Sequence, residues 1–138
     1  MKKRIVYIVE SFATGVFTYL SDLTNGLSNK YDFLILHGIR KETPKDYKKF
    51  FPSNVKFIEI KNLKRNISFK DIKAIKEIKE VLKKEKYDII HLHSSKASAL
   101  VRLSIHNKVM YYTPHGYSFL SNSFVFNFDL DNSLKYKL

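Results

Sequence analysis

Cysteine is missing from all 138 residues, which excludes disulfide staples, thiolate metal sites and cysteine nucleophiles. The same absence fits a reducing compartment, and a cytoplasmic chain is expected. No apolar run approaches the roughly 18 to 20 residues needed to span a bilayer. The opening MKKRIVYIVESF has the basic-then-apolar order of a secretion signal. Glu10 interrupts the run, however, and no small-residue cleavage site follows, so the stretch reads as a first strand. Acidic residues are also short, 13 against 25 basic ones, leaving a net charge of +12. That sign attracts polyanions such as nucleic acid, acidic lipid or phosphorylated substrates. Only four of the cations are arginine (Arg4, Arg40, Arg65 and Arg102), and no nucleic-acid motif accompanies them, so no nucleic-acid partner is expected.

What is present is enough for one folded domain with a core. The chain is 44% hydrophobic and 14% aromatic, unlike a disordered tail, and no internal repeat divides it. Arg4 to Val9 is a β-rich apolar run without clean alternation, as in strands buried on both faces of a parallel sheet. Val16, Phe17, Leu20, Leu23 and Leu27 then recur at helical spacing, opened by Thr14 or Gly15 and closed by Ser28-Asn29. Tyr31 to His37 is a second strand, and one helical turn is expected around Asp46 to Phe50. Val55 to Ile60 is a third strand, with Val55, Phe57 and Glu59 on one face and Lys56, Ile58 and Ile60 on the other. A charge on each face places it toward a sheet edge.

Ser68 and Asp71 make a capping-box-like start to a helix whose apolar stripe is Ile72, Ile75, Ile78 and Leu82. Lysines fill most of the remaining surface, so the helix either packs on the sheet or lies on anionic lipid. Asp88 to Leu92 is a fourth strand, the helix after it runs to about Ile105, and Lys108 to Thr113 is a fifth strand stopped by Pro114. Strands alternating with helices over short connections give an α/β fold with a largely parallel sheet. The tail, 121–138, has a different character. Its Phe124, Val125, Phe126 and Phe128 form an apolar patch that predicts association or poor solubility.

Two strand-to-loop junctions carry the candidate chemistry. The first is DIIHLHSSKASA, Asp88 to Ala99, where a strand runs into a hydroxyl-rich helix start. Such junctions lie outside the carboxyl ends of parallel strands, and free N–H groups there favour anions. His91 and His93 share one strand face, as a metal pair would, or as a buried hydrogen-bonded histidine with a second at the strand end. Ser94 and Ser95 can cap the helix. Lys96 in its first turn opposes the helix dipole, unless an anion sits between the ammonium and the N–H groups. The second junction is Thr113-Pro114-His115-Gly116, where the imidazole can turn to the same mouth and hydrogen-bond a sugar hydroxyl or phosphate, or simply face water. Gly15 allows a ligand close to the backbone, but it belongs to no G-x-G-x-x-G fingerprint. No Ser-His-Asp or paired-carboxylate set is evident.

Taken together, KRIVYIVES followed by Gly15, YDIIHLHSSKAS with Arg102, and VMYYTPHGYSF resemble the N-terminal half of GT-B glycosyltransferases of family 4. The match covers roughly residues 3 to 120. The resemblance implies a Rossmann-like, mostly parallel sheet with helices on both faces, a family 4-like domain over 1–120, and metal-independent, retaining transfer from a nucleotide sugar. Neither a cofactor nor a metal is implied. The implied acceptor is lipid-linked, in bacterial capsule or exopolysaccharide synthesis, with a peripheral contact at the inner membrane face. His115 corresponds to the catalytic contact at the sugar. Gly15, His93, Ser94, Ser95, Lys96 and Gly116 correspond to the substrate-binding positions. The family often has paired glycines where Thr14 and Gly15 stand. The donor-binding domain of such enzymes lies beyond this chain, so a truncated, inactive form or one chain of a split enzyme is expected. The alternative is a non-catalytic module binding lipid-phosphate or polysaccharide intermediates.

Overall fold

The computed structural model describes residues 1–115. Gly116 and the 121–138 tail therefore lie outside the described residues. Five strands form one parallel sheet: β1 (Lys3–Val9), β2 (Tyr31–His37), β3 (Val55–Glu59), β4 (Ile89–Leu92) and β5 (Met110–Tyr112). Their order is β3-β2-β1-β4-β5, with β3 at an edge, as its charged faces require. The connecting helices are α1 (Thr14–Leu27), α2 (Lys70–Lys84) and α3 (Ser95–Ser104), with one 3-10 turn at Tyr47–Phe50.

Period-2 alternation splits the strands into two apolar faces, and each is covered. Tyr7, Val9, Phe33 and Ile35 pack with Phe17 and Leu20 of α1 and with Phe51 beyond the 3-10 turn. Val6, Ile8, Leu34 and Leu36 pack on the opposite side with Ala74, Ile78 and Leu82 of α2 and Ala97 and Val101 of α3. Helices on both faces are the reason the central strands lack polar alternation. β3 follows the expected split, sending Val55 and Phe57 to the first face and Ile58 and Ile60 to the second.

The stripe on α2 is rotated from the expected one. Asp71, Ala74, Ile78 and Leu82 are buried, whereas Ile72 is 56% exposed. The cause is the helix start. Asp71 Oδ2 accepts the Ser68 N–H at 3.1 Å and the Ser68 hydroxyl accepts the Lys70 N–H at 3.2 Å, so the predicted cap forms. Asp71 also lies 2.6 Å from the Lys96 ammonium of α3, and this pair turns its side of the helix inward. A charge partner from another element outweighs the apolar pattern at that end.

Candidate functional site

Strand order reverses between β1 and β4, so α1 leaves β1 on one face while α3 leaves β4 on the other. The carboxyl ends diverge there and open a crevice, the place where ligands bind in sheets of this kind. The Ser94 hydroxyl oxygen ties its two sides together. It accepts the Glu10 N–H from the end of β1 at 3.3 Å and the Ala97 N–H in the first turn of α3 at 3.2 Å. Ser94 is thus the expected helix cap and also a stitch across the crevice. Ser95 plays no capping part, and its hydroxyl lies 3.1 Å from the Tyr112 hydroxyl on β5.

The two junctions do meet. His93 Nδ1 lies 3.1 Å from His115 Nε2, and the His91 and His93 rings lie 4.1 Å apart on one strand face. His91 Nε2 bonds to the Thr113 hydroxyl at 2.8 Å. Tyr7 packs edge-on against both strand histidines, and Tyr19 of α1 packs against His115. His93 is buried, at 1% exposure, deeper than a strand-end position suggests, while His115 is exposed. Burial pushes His93 down to about 2 and His91 down to about 4, each helped by its histidine neighbours. His115 is lowered as well, by the partial burial of the side packed against His93 and Tyr19. All three rings are therefore neutral at physiological pH.

Neutral rings in contact must divide donor and acceptor roles. His93 Nε2 is buried with no hydrogen-bond partner among the described residues. A buried N–H without an acceptor is rarer than a bare acceptor, which places the His93 hydrogen on Nδ1, donated to His115 Nε2. His115 then carries its own hydrogen on Nδ1, the ring atom left for a ligand. Among the described residues, no group of three His, Asp or Glu side chains is arranged to hold a metal ion.

Lys96 is engaged inside the protein. Besides Asp71, its ammonium donates to the backbone carbonyls of Lys64 at 2.6 Å and Asn66 at 2.7 Å. Two carbonyls thus accept its hydrogens, and the Asp71 carboxylate supplies the compensating charge as an ion pair. In this structure Lys96 is a clamp that joins α3 to the start of α2 and the loop before it.

The glycine expected to admit a ligand is Gly15, yet the left-handed backbone falls one residue earlier, on Thr14 at φ 50°. A Cβ on Gly15 would touch nothing within 4 Å. Gly38 is the glycine that packing demands, since a Cβ there would lie 2.4 Å from the Leu63 carbonyl oxygen and 3.0 Å from that of Glu10. Beside it, Arg40 grips the buried Glu10 carboxylate with Nη2 contacts of 2.6 and 2.8 Å. Nothing in the sequence patterns marks this pair, because its partners lie 30 residues apart on different loops. Together these loops line an open cavity of about 770 Å³ at the carboxyl ends of β1 to β3, with Thr14, Arg40, Lys64, Arg65 and Lys70 on its wall.

A doubly wound sheet with a polar mouth at its switch point defines the class as a Rossmann-like domain. The model of Glycosyltransferase Family 4 matches residues 13–136, and the chain belongs to that family. The Escherichia coli UDP-Gal:alpha-D-GlcNAc-diphosphoundecaprenol alpha-1,3-galactosyltransferase is 38% identical over 76 residues, covering 52% of this chain and 20% of that enzyme. The fold is similar to that of the lipopolysaccharide outer core galactosyltransferase WaaB in its apo form, with a TM-score of 0.55 and 17% identity over 81% of this chain and 33% of that one. It is also similar to Phytolacca americana UGT2 complexed with UDP-2fluoro-glucose and pterostilbene, with a TM-score of 0.54 and 13% identity over 81% of this chain and 31% of that one. The chain thus spans a fifth of the curated relative and about a third of each solved structure.

Proposed function

We propose that this chain supplies the acceptor-side wall of a site that transfers a sugar from a nucleotide donor to a lipid-linked acceptor in bacterial cell-surface polysaccharide assembly. The observation that carries the reading is His115, exposed at the switch-point mouth and oriented by the buried His93 in a chain of Glycosyltransferase Family 4. In the reaction, a bond forms between the anomeric carbon of the donor and an acceptor hydroxyl oxygen while the bond to the donor's diphosphate breaks. The hydroxyl proton leaves with the departing diphosphate. A neutral imidazole offering Nδ1–H suits a sugar hydroxyl at that centre. Gly15 and Gly116 are assigned to close backbone approach, and no cofactor takes part beyond the nucleotide sugar itself. The donor's nucleotide is gripped by a second domain, carried on the same or another chain. The named substrates of the Escherichia coli relative, a UDP-galactose donor and a diphosphoundecaprenol-linked acceptor, suggest the substrate classes.

The test incubates the purified chain with radiolabelled UDP-galactose and a GlcNAc-diphospho-polyprenol acceptor in detergent, alone and with a family 4 donor domain supplied in trans. Transfer is expected only with the donor domain, and His115→Ala should lower it about 100-fold or more. Equal transfer by His115→Ala would remove the imidazole from the site. Acceptor binding without transfer under any condition would favour the non-catalytic module instead.

A further inference from the structure

Tyr19 shares the mouth with His115. It projects from the outer side of α1, 39% exposed, while Phe17 and Leu20 beside it are buried. A single exposed tyrosine carries little meaning on its own, but this one has particular neighbours. Its ring lies 4.9 Å from the His115 ring at an interplanar angle of 69°, so the two form a corner. The His93 ring, which orients His115, is 6.0 Å away. Gly15 stands one helical turn before Tyr19, on the same face of α1 and also exposed. Helical side chains lean toward the N-terminus, so Tyr19 tilts toward Gly15. A Cβ on Gly15 would still meet nothing within 4 Å, so the space over the glycine stays open.

From this we infer that Tyr19 determines acceptor specificity, as the aromatic platform on which the acceptor's sugar ring stacks with one hydroxyl turned to His115. A pyranose ring has an apolar face of C–H groups and a rim of hydroxyls. It lays the face on an aromatic side chain while the rim takes hydrogen bonds. The corner supplies both, the Tyr19 ring for the face and the His115 Nδ1–H for a hydroxyl. The bare Gly15 backbone beside them admits the sugar where a side chain would intrude. A nucleotide base can also stack on a tyrosine. The donor's nucleotide belongs to the second domain, however, and the ring beside His115 is the one that reacts. The inference rests on the sugar-transfer reading of the same mouth, and its test reads binding separately from transfer.

The experiment titrates the purified chain with GlcNAc-diphosphofarnesol, and with farnesyl diphosphate as the sugar-free control, following tyrosine and histidine ring signals by NMR. The Tyr19 and His115 signals are expected to move with the sugar-bearing probe and to stay in place with the control. Tyr19→Ala should weaken the sugar-bearing probe about tenfold and leave the control within about twofold, while Tyr19→Phe keeps wild-type affinity. With the donor domain in trans, Tyr19→Ala should raise the acceptor KM about tenfold and leave kcat and the donor KM near wild type. Circular dichroism should be unchanged because the side chain is exposed. Tyr19→Leu, apolar but without the ring, gives the same readings if the alanine variant unfolds. Wild-type chain that binds the two probes alike, or neither, overturns the proposal, as does full affinity in Tyr19→Ala. A fall in kcat at unchanged acceptor KM overturns it in favour of a prop for His115. Displacement of the probe by UMP, lost in Tyr19→Ala, overturns it in favour of a nucleotide base. If the sugar binds through Tyr19 yet nothing is transferred, the platform stands and the transfer reading falls. If Tyr19→Ala transfers sugar at the wild-type acceptor KM, the platform falls and the transfer reading stands.

Discussion

Acid should unfold this protein by charging histidines that its core holds neutral. An unfolded histidine titrates near 6.5, whereas burial lowers His91 to about 4 and His93 to about 2 in the folded chain. Below about pH 6.5 the unfolded state therefore binds more protons than the native one, and stability falls as pH falls. Each ring contributes a slope approaching 1.4 kcal/mol per pH unit, which between pH 7 and 5 integrates to about 2 kcal/mol apiece. Together His91 and His93 remove roughly 3 to 4 kcal/mol, a large share of the 5–15 kcal/mol typical of a folded domain. His37, fully buried among aromatic rings and also lowered by burial, acts in the same direction. Urea unfolding followed by circular dichroism at both pH values reads this as a midpoint lower by roughly 1–2 M at pH 5. Replacing His91 with Gln and His93 with Phe should leave a much shallower pH dependence, whatever the variant's stability at pH 7. Equal wild-type midpoints at the two pH values would refute the reasoning, as would a full acid drop persisting in the double variant.

Other expectations concern the loops around the mouth. Thr14→Gly relieves a left-handed β-branched residue and should stabilise by about 0.5–1 kcal/mol, the strain relief exceeding the added chain entropy; a lower denaturation midpoint would place the backbone elsewhere. Lys96→Met leaves the buried Asp71 carboxylate without its cation and should cost about 3 kcal/mol in denaturant unfolding, with Asp71→Asn in the same chain restoring part of it. A loss no larger than that of an exposed lysine would mean that the clamp does not form.

Much of the architecture was legible because it is local. Short apolar runs bounded by polar turns marked β1 to β5, and the alternation on β3 sorted its side chains between two cores. The Ser68–Asp71 cap and the Ser94 cap were legible for the same reason, since both partners lie within one helical turn. The spacing of His93 and His115 pointed to one mouth, and their rings meet there. Even so, local pattern misjudged Ile72, because the residue that turns α2 is Asp71, recruited by Lys96 from another helix.

By itself the sequence determined the parallel α/β class, the family and the two histidine junctions, because apolar period and short turn motifs are properties of contiguous residues. Only the tertiary structure decided what those residues do. It made Lys96 a clamp, since its two carbonyl acceptors and its ion-pair partner come from segments about 25 to 32 positions away. It paired Glu10 with Arg40 across two loops, put a left-handed backbone at Thr14, and left Ile67, Phe69 and Ile72 outside the core. Ion pairs, burial and exposure depend on which strands lie side by side, and that order is written in no single stretch of chain.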